Sequence, residues 1–127
     1  MKDNCKIIRL NYKTKNIPSP HYSKIISIIG GKYIYCLDKL SYISKININS
    51  FDKTIFKKLS SNSTFMTSCN YIKKLFIGDL DGYIQILNSK DFSLSSIVSV
   101  SKRSINNICV DQSYAYACCD TELSIVK

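Results

Sequence analysis

Residues 77–88, IGDLDGYIQILN, return in altered form as residues 116–127, YACCDTELSIVK. Aligning Asp81 with Asp120 sets the two 39 residues apart and matches apolar with apolar positions along the segment. Ile84 and Ile86 meet Leu123 and Ile125, Gly78 meets Ala117, and upstream Met66 and Cys69 meet Ile105 and Ile108. An earlier copy, offset by about 41, sets Ile25 and Ile28 against Met66 and Cys69, and Ile43 against Ile84. A period near 40 predicts an array of stacked units, each unable to bury its own hydrophobic face alone.

The runs inside each copy read as strands. KIISII, KYIYCL, SYISKIN, KKLFIG, GYIQIL, SLSSIVSV, NNICV and SYAYACC are short, rich in Ile, Tyr and Val, and bounded by Gly, Asn, Asp, Ser and Lys. No stretch holds a helical apolar stripe over three turns. DLDGY supplies a hairpin turn, with Gly82 free to take positive φ and Asp81 able to bond nearby backbone. Each copy is therefore expected to be an antiparallel four-strand meander.

A period of about 40 with four strands resembles the WD40 repeat, the blade of a β-propeller. HYSKIISI places His21, Ile25 and Ile28 at that family's spacing, and Asn62, Met66, Cys69 and Ser101, Ile105, Ile108 follow suit. Asp81 and Asp120 stand at the family's turn acid, with Gly78 and Ala117 at the small position before it. The resemblance implies an all-β propeller segment of about three four-stranded blades, with copies near 21–59, 62–100 and 101–127. It covers nearly the whole chain; a β-sandwich or small barrel is the alternative. The departures are specific. There is no Trp, the first copy reads Leu40 where the acid is expected, and the repeat endings are Leu87-Asn88 and Val126-Lys127. The family's hydrogen-bonded His–Asp–Ser–Trp network is thus expected to be incomplete in every copy. Residues 6–12, KIIRLNY, form a further strand that either closes the third copy or belongs to a preceding blade.

Composition bounds the function. At 127 residues there is room for one domain. No signal peptide is recognisable, and no apolar run reaches the roughly 18 residues of a membrane span, so an intracellular chain without a membrane partner is expected. Six cysteines without a C-x-x-C, beside a single histidine, predict reduced thiols and no metal site. Eight Asp and one Glu show no paired-carboxylate pattern, and IIGGKYIY lacks the phosphate-loop frame. His21 is the one candidate for a Ser–His–Asp relay, but its spacing to Ile25 and Ile28 places it as a blade residue. Neither catalytic residues nor cofactors are expected.

The net charge of +9 comes from 16 Lys and 2 Arg against 9 acids. Ile, Lys and Asn make up 46 of the 127 residues, the bias of an AT-rich coding sequence. The basic doublets Lys57-Lys58, Lys73-Lys74 and Lys102-Arg103 fall on different parts of a propeller, whereas a phosphate footprint gathers charge on one face. The expected role is a non-enzymatic protein–protein scaffold whose partners are acidic or propeller-completing subunits, or a second copy. The alternative is a basic nucleic-acid-associated protein of a ribosome-biogenesis or splicing particle. Partner contacts are expected on the His21-side rim, at Tyr22, Lys39, Asn62, Leu80, Lys102 and Arg103. The structural positions are His21, Gly78, Asp81, Gly82 and Asp120.

Overall fold

A computed structural model describes residues 19–120 and 122–127, and among these residues eleven strands form three antiparallel sheets. The strand expected at residues 6–12 lies outside the described residues. Blade 1 holds β1 (Ile25–Ile29), β2 (Tyr33–Asp38), β3 (Tyr42–Asn47) and β4 (Lys53–Lys58). Blade 2 repeats this with β5 (Ser63–Cys69), β6 (Lys74–Asp79), β7 (Tyr83–Asn88) and β8 (Leu94–Ser99). Blade 3 has β9 (Asn107–Val110), β10 (Ala115–Cys119) and β11 (Glu122–Val126), with β11 at the edge among the described residues. Successive blades meet along their first strands, β1 beside β5 and β5 beside β9.

Side chains alternate across a strand, so blade 2 faces two ways. Met66, Leu75, Ile77 and Leu87 turn toward blade 1 and close a core with Leu37, Ile43, Leu59 and Phe92. Phe76 and Ile84 turn toward blade 3 and pack on Ile105, Ile108, Ala115, Ala117 and Cys119. Each such Leu, Ile, Met or Phe contributes about 1.5–3 kcal/mol by leaving water. Gly78 lets the second seam close, because a Cβ there would lie 2.4 Å from Ile105 Cγ2.

The turns between second and third strands carry a motif that the ungapped alignment misplaced. In D-x-x-[SG]-Y, Asp38 Oδ1 accepts the amides of Leu40 (2.9 Å) and Tyr42 (3.0 Å). Asp79 Oδ1 accepts those of Asp81 (2.9 Å) and Tyr83 (3.0 Å). The turn acids are therefore Asp38 and Asp79, not Leu40 and Asp81. Each of these acids is the last residue of its strand, from where its carboxylate reaches the amides two and four residues ahead. Ser41 (φ 67°) and Gly82 (φ 85°) take the left-handed position. Glycine is required at the second, where a Cβ would lie 2.0 Å from the Ser101 carbonyl oxygen. Asp120 is exposed, and its carboxylate pairs with Arg103 at 3.2 Å instead of closing a turn.

Register explains the misplacement. Ile28 pairs with Cys36, Met66 with Ile77 and Ile108 with Ala117, so Ile28, Met66 and Ile108 are equivalent. The partners are 8, 11 and 9 residues apart (36 − 28, 77 − 66, 117 − 108), so the first connection changes length from blade to blade. The next hairpin also shortens by one residue in blade 3, from Gly78↔Ile84 to Cys118↔Leu123. Cys118, not Ala117, thus takes the place of Gly78.

A second repeated device closes the turns after β3 and β7. Phe51 (φ 61°) and Phe92 (φ 63°) are left-handed, and their amides donate to the Asn47 and Asn88 carbonyls at 2.7 and 2.8 Å. Phe92 is fully buried beneath Tyr35, with ring centroids 6.1 Å apart. Replacing Phe92 with Ala is expected to cost about 3–5 kcal/mol, and Gly78→Ala about 1–3 kcal/mol through overpacking on Ile105. Urea unfolding with unchanged slope checks both. A Gly78→Ala variant as stable as wild type contradicts the close seam.

Candidate functional site

Blade 1 holds a Ser–His–Asp constellation. The loop before β1 delivers His21, the end of β2 delivers Asp38 and the middle of β3 delivers Ser44. His21 Nδ1–H donates to Asp38 Oδ2 at 2.7 Å, and Nε2 meets the Ser44 hydroxyl at 2.7 Å. This is the geometry of a nucleophile, base and orienting acid. Its surroundings are those of a structural clamp. The His21 and Asp38 side chains are each 1% exposed and Ser44 is 0% exposed. Phe56 meets the imidazole edge-on at 5.2 Å, and Tyr42 stacks on Phe56 at 5.1 Å. The adjoining cavity of about 260 Å³ is lined by Tyr22, Ser23, Asp38, Leu40, Tyr42 and Phe56. Neither Ser44 nor His21 lines it.

Three members of the four-residue network are thus present in blade 1; without a Trp it is incomplete, as expected, but its acid is in place. The missed signal was Asp38, read two residues too late at Leu40. In blade 2, Gln85 stands at the position of Ser44, and its Nε2 donates to Ser61 Oγ at 2.6 Å. Both arrangements tie the incoming loop to the blade's third strand.

Asp38 is tuned by this setting. Burial pushes its carboxyl up, but the His21 donor and the amides of Tyr42 and Leu40 together outweigh burial and hold it below the ordinary carboxylate range. A depressed carboxyl stabilises the fold above the unfolded-state pKa of about 4, and that stabilisation is lost as pH falls below it.

The six rim residues are all exposed and lie on loops at the same end of the blades. Tyr22 borders the small apolar cavity, while Lys39 and Leu80 sit in the turns closed by Asp38 and Asp79. The structure joins Leu80 to Asn62, amide to carbonyl at 2.9 Å, and lays the Arg103 carbonyl against Gly82. Tyr22 and Lys39 belong to blade 1 and stand apart from that group. Leu40, 57% exposed beside Tyr22, was not singled out in the sequence because it was read as the turn acid's place. The Arg103–Asp120 pair is more than half exposed on both sides and adds little stability.

The far face of blade 3 is the other unusual surface. Cys109, Tyr116, Cys118, Leu123 and Ile125 share it by register and line an apolar groove of about 490 Å³. Leu123 is 84% exposed, whereas its counterpart in blade 2, Ile84, is 1% exposed beneath blade 3.

Asp38→Asn is expected to flatten the fall of Tm with acid below about pH 4, as His21→Ala should in part. Thermal melts across pH 2.5–7 check this. A variant whose acid limb matches wild type removes Asp38 from the clamp.

No protein-family model matches the chain, and no curated protein matches it. Solved structures do. The WD40 repeats of RRP9 superpose with a TM-score of 0.73 at 16% identity, covering 88% of this chain and 40% of that one. U3-55K gives 0.74 at 16% identity, with coverages of 88% and 41%. Sqt1 from Saccharomyces cerevisiae gives 0.66 at 11% identity, with coverages of 80% and 30%. The chain spans well under half the length of each. What they share with it is the architecture: the chain has the WD40-type β-propeller fold, as a segment of three blades.

Proposed function

We propose that the chain is a non-enzymatic scaffold that binds a propeller-completing protein subunit through the open face of blade 3. The observation that carries this reading is the contrast between Leu123 and Ile84. The same blade position is covered at one seam and bare at the next. Blade 2 presents this face to β9 and β10, whose Ile108, Ala115, Ala117 and Cys119 fill it. A partner sheet with a similar small and branched apolar face fits blade 3 in the same way. Leu123, Ile125 and Tyr116 supply the anchors, since buried aliphatic and aromatic side chains at an interface centre carry most binding energy. The edge of β11, which has no strand beside it among the described residues, offers backbone groups to a partner strand. The rim residues Asn62, Leu80, Lys102 and Arg103, on the loops of blades 2 and 3, then extend the contact surface, and the positive charge of Lys102 and Arg103 favours acidic subunits. The burial of the clamp at His21 and Ser44 supports a binding role over a hydrolytic one.

The test is photo-crosslinking from position 125 of the full chain, alongside capture by wild type and by the Leu123→Asp/Ile125→Asp variant. The expected result is crosslinks onto a β-sheet face of a separate protein, with capture reduced at least tenfold in the variant and its thermal melt unchanged. Crosslinks returning to this chain would replace the separate subunit with self-association. Capture undiminished by the two aspartates sinks the face as an interface.

A further inference from the structure

The rim opposite His21 carries a second cleft, independent of the interface above. It opens between blades 1 and 2 with a volume of about 520 Å³ and is lined by Gly30, Gly31, Lys32, Tyr33, Tyr35, Lys45, Asn70, Lys73, Ser89 and Lys90. Four lysines and no carboxylate face one cavity. They come from four separate places: the turn after β1, the middle of β3, the turn after β5 and the turn after β7. Along the chain these charges lie as far as 58 residues apart (90 − 32), so only the seam gathers them.

Lys45 is the floor of the cleft. It is 8% exposed, its ammonium stands 4.2 Å over the Tyr33 ring and it donates to the Lys90 carbonyl at 3.1 Å. These contacts hold a cation in place at low exposure. Lys32, Lys73 and Lys90 are exposed at the mouth and make no ion pair among the described residues. Lys73 is held in left-handed backbone (φ 55°), and its carbonyl takes both the amide and the hydroxyl of Ser89 at 3.1 and 3.0 Å. The turn bearing Lys73 is thus tied to the turn bearing Lys90. Like charges held near one another repel, and an anionic ligand relieves that repulsion.

Tyr71 identifies the class of anion. It lies in the same turn as Asn70 and Lys73, two residues that line the cleft, and is 74% exposed. Cations that track phosphates beside an exposed ring that stacks a base are the two components of single-stranded nucleic-acid binding. We infer that the cleft between blades 1 and 2 binds single-stranded nucleic acid, with phosphates on Lys32, Lys73 and Lys90 and a base on Tyr71.

Fluorescence anisotropy of the full chain with a labelled ten-nucleotide oligo-U RNA, measured from 50 to 300 mM KCl, tests this. Lys32→Gln/Lys73→Gln/Lys90→Gln is expected to weaken binding by more than tenfold and to reduce the salt slope by about 2, at about 0.7 per phosphate contact for a single strand. Tyr71→Ala is expected to weaken binding about tenfold, by loss of one stacked base. Lys102→Gln/Arg103→Gln, on the opposite rim, should change affinity by less than twofold. Equal losses from the two charge variants would reduce the cleft to diffuse attraction by a +9 chain. Tighter binding of a phosphoserine peptide, or of phosphatidylserine vesicles, than of RNA also overturns the assignment. Wild-type protein that leaves the RNA anisotropy unchanged at 50 mM KCl ends it. The single Lys→Gln variants, each at an exposed position, read the same effect if the triple variant unfolds.

Discussion

A four-stranded sheet with apolar residues on both faces cannot hide itself, and blade 2 is such a sheet. Met66, Ile77 and Leu87 point one way and Phe76 and Ile84 the other, so blade 2 is stable only when sheets flank it on both sides. Everything else in the molecule accommodates that requirement. Gly78 is bare so that Ile105 can close against it. Phe92 folds its turn through left-handed backbone to reach the seam with blade 1. Blades 1 and 3 each have a neighbour on one side only among the described residues, and the same packing logic leaves Ile28 and Leu123 bare.

Polar contacts do a different job. They fix loops to blades, where apolar packing cannot choose between similar positions. Asp38 satisfies the amides of its own turn and the imidazole of His21, which in turn reaches Ser44. A buried carboxylate with this many donors keeps its charge because they together outweigh the desolvation that burial imposes. Blade 2 lacks the histidine and uses Gln85 with Ser61. Different side chains at equivalent positions thus perform the same tethering, and repeats can drift far in sequence while their backbone stays alike. A geometry that resembles a hydrolytic triad is here a consequence of tethering, because the serine is sealed.

The surfaces divide by rim and face. The rim near His21 displays turns whose tips are exposed leucines and basic residues, the far rim gathers lysines around the first seam, and blade 3 presents an apolar face. Binding sites for different chemistries can coexist on such a scaffold because the loops that build them are not needed for the core.

Much of the architecture was legible in the residues. Eight strand runs, the period near 40 and the absence of helix follow from side-chain alternation and turn chemistry, which are local properties. So was the motif D-x-x-[SG]-Y, at 38–42 and 79–83 with a constant offset of 41, although Asp81 and Asp120 drew the alignment away from it. Asn47 to Phe51 and Asn88 to Phe92 repeat at that same offset and went unread, because a left-handed phenylalanine has no sequence signature. Tertiary structure alone decided the rest. Connections of unequal length shifted the registers, so only strand pairing could show that Met66 answers Ile28 and that Cys118 answers Gly78. The basic doublets lie on different parts of the fold, and charge along a chain says nothing about which turns meet. Lys32, Lys45, Lys73 and Lys90 form one cleft because two blades pack face to face. A sequence records which residues a strand carries, and only the seam between strands far apart in the chain records which of them become neighbours.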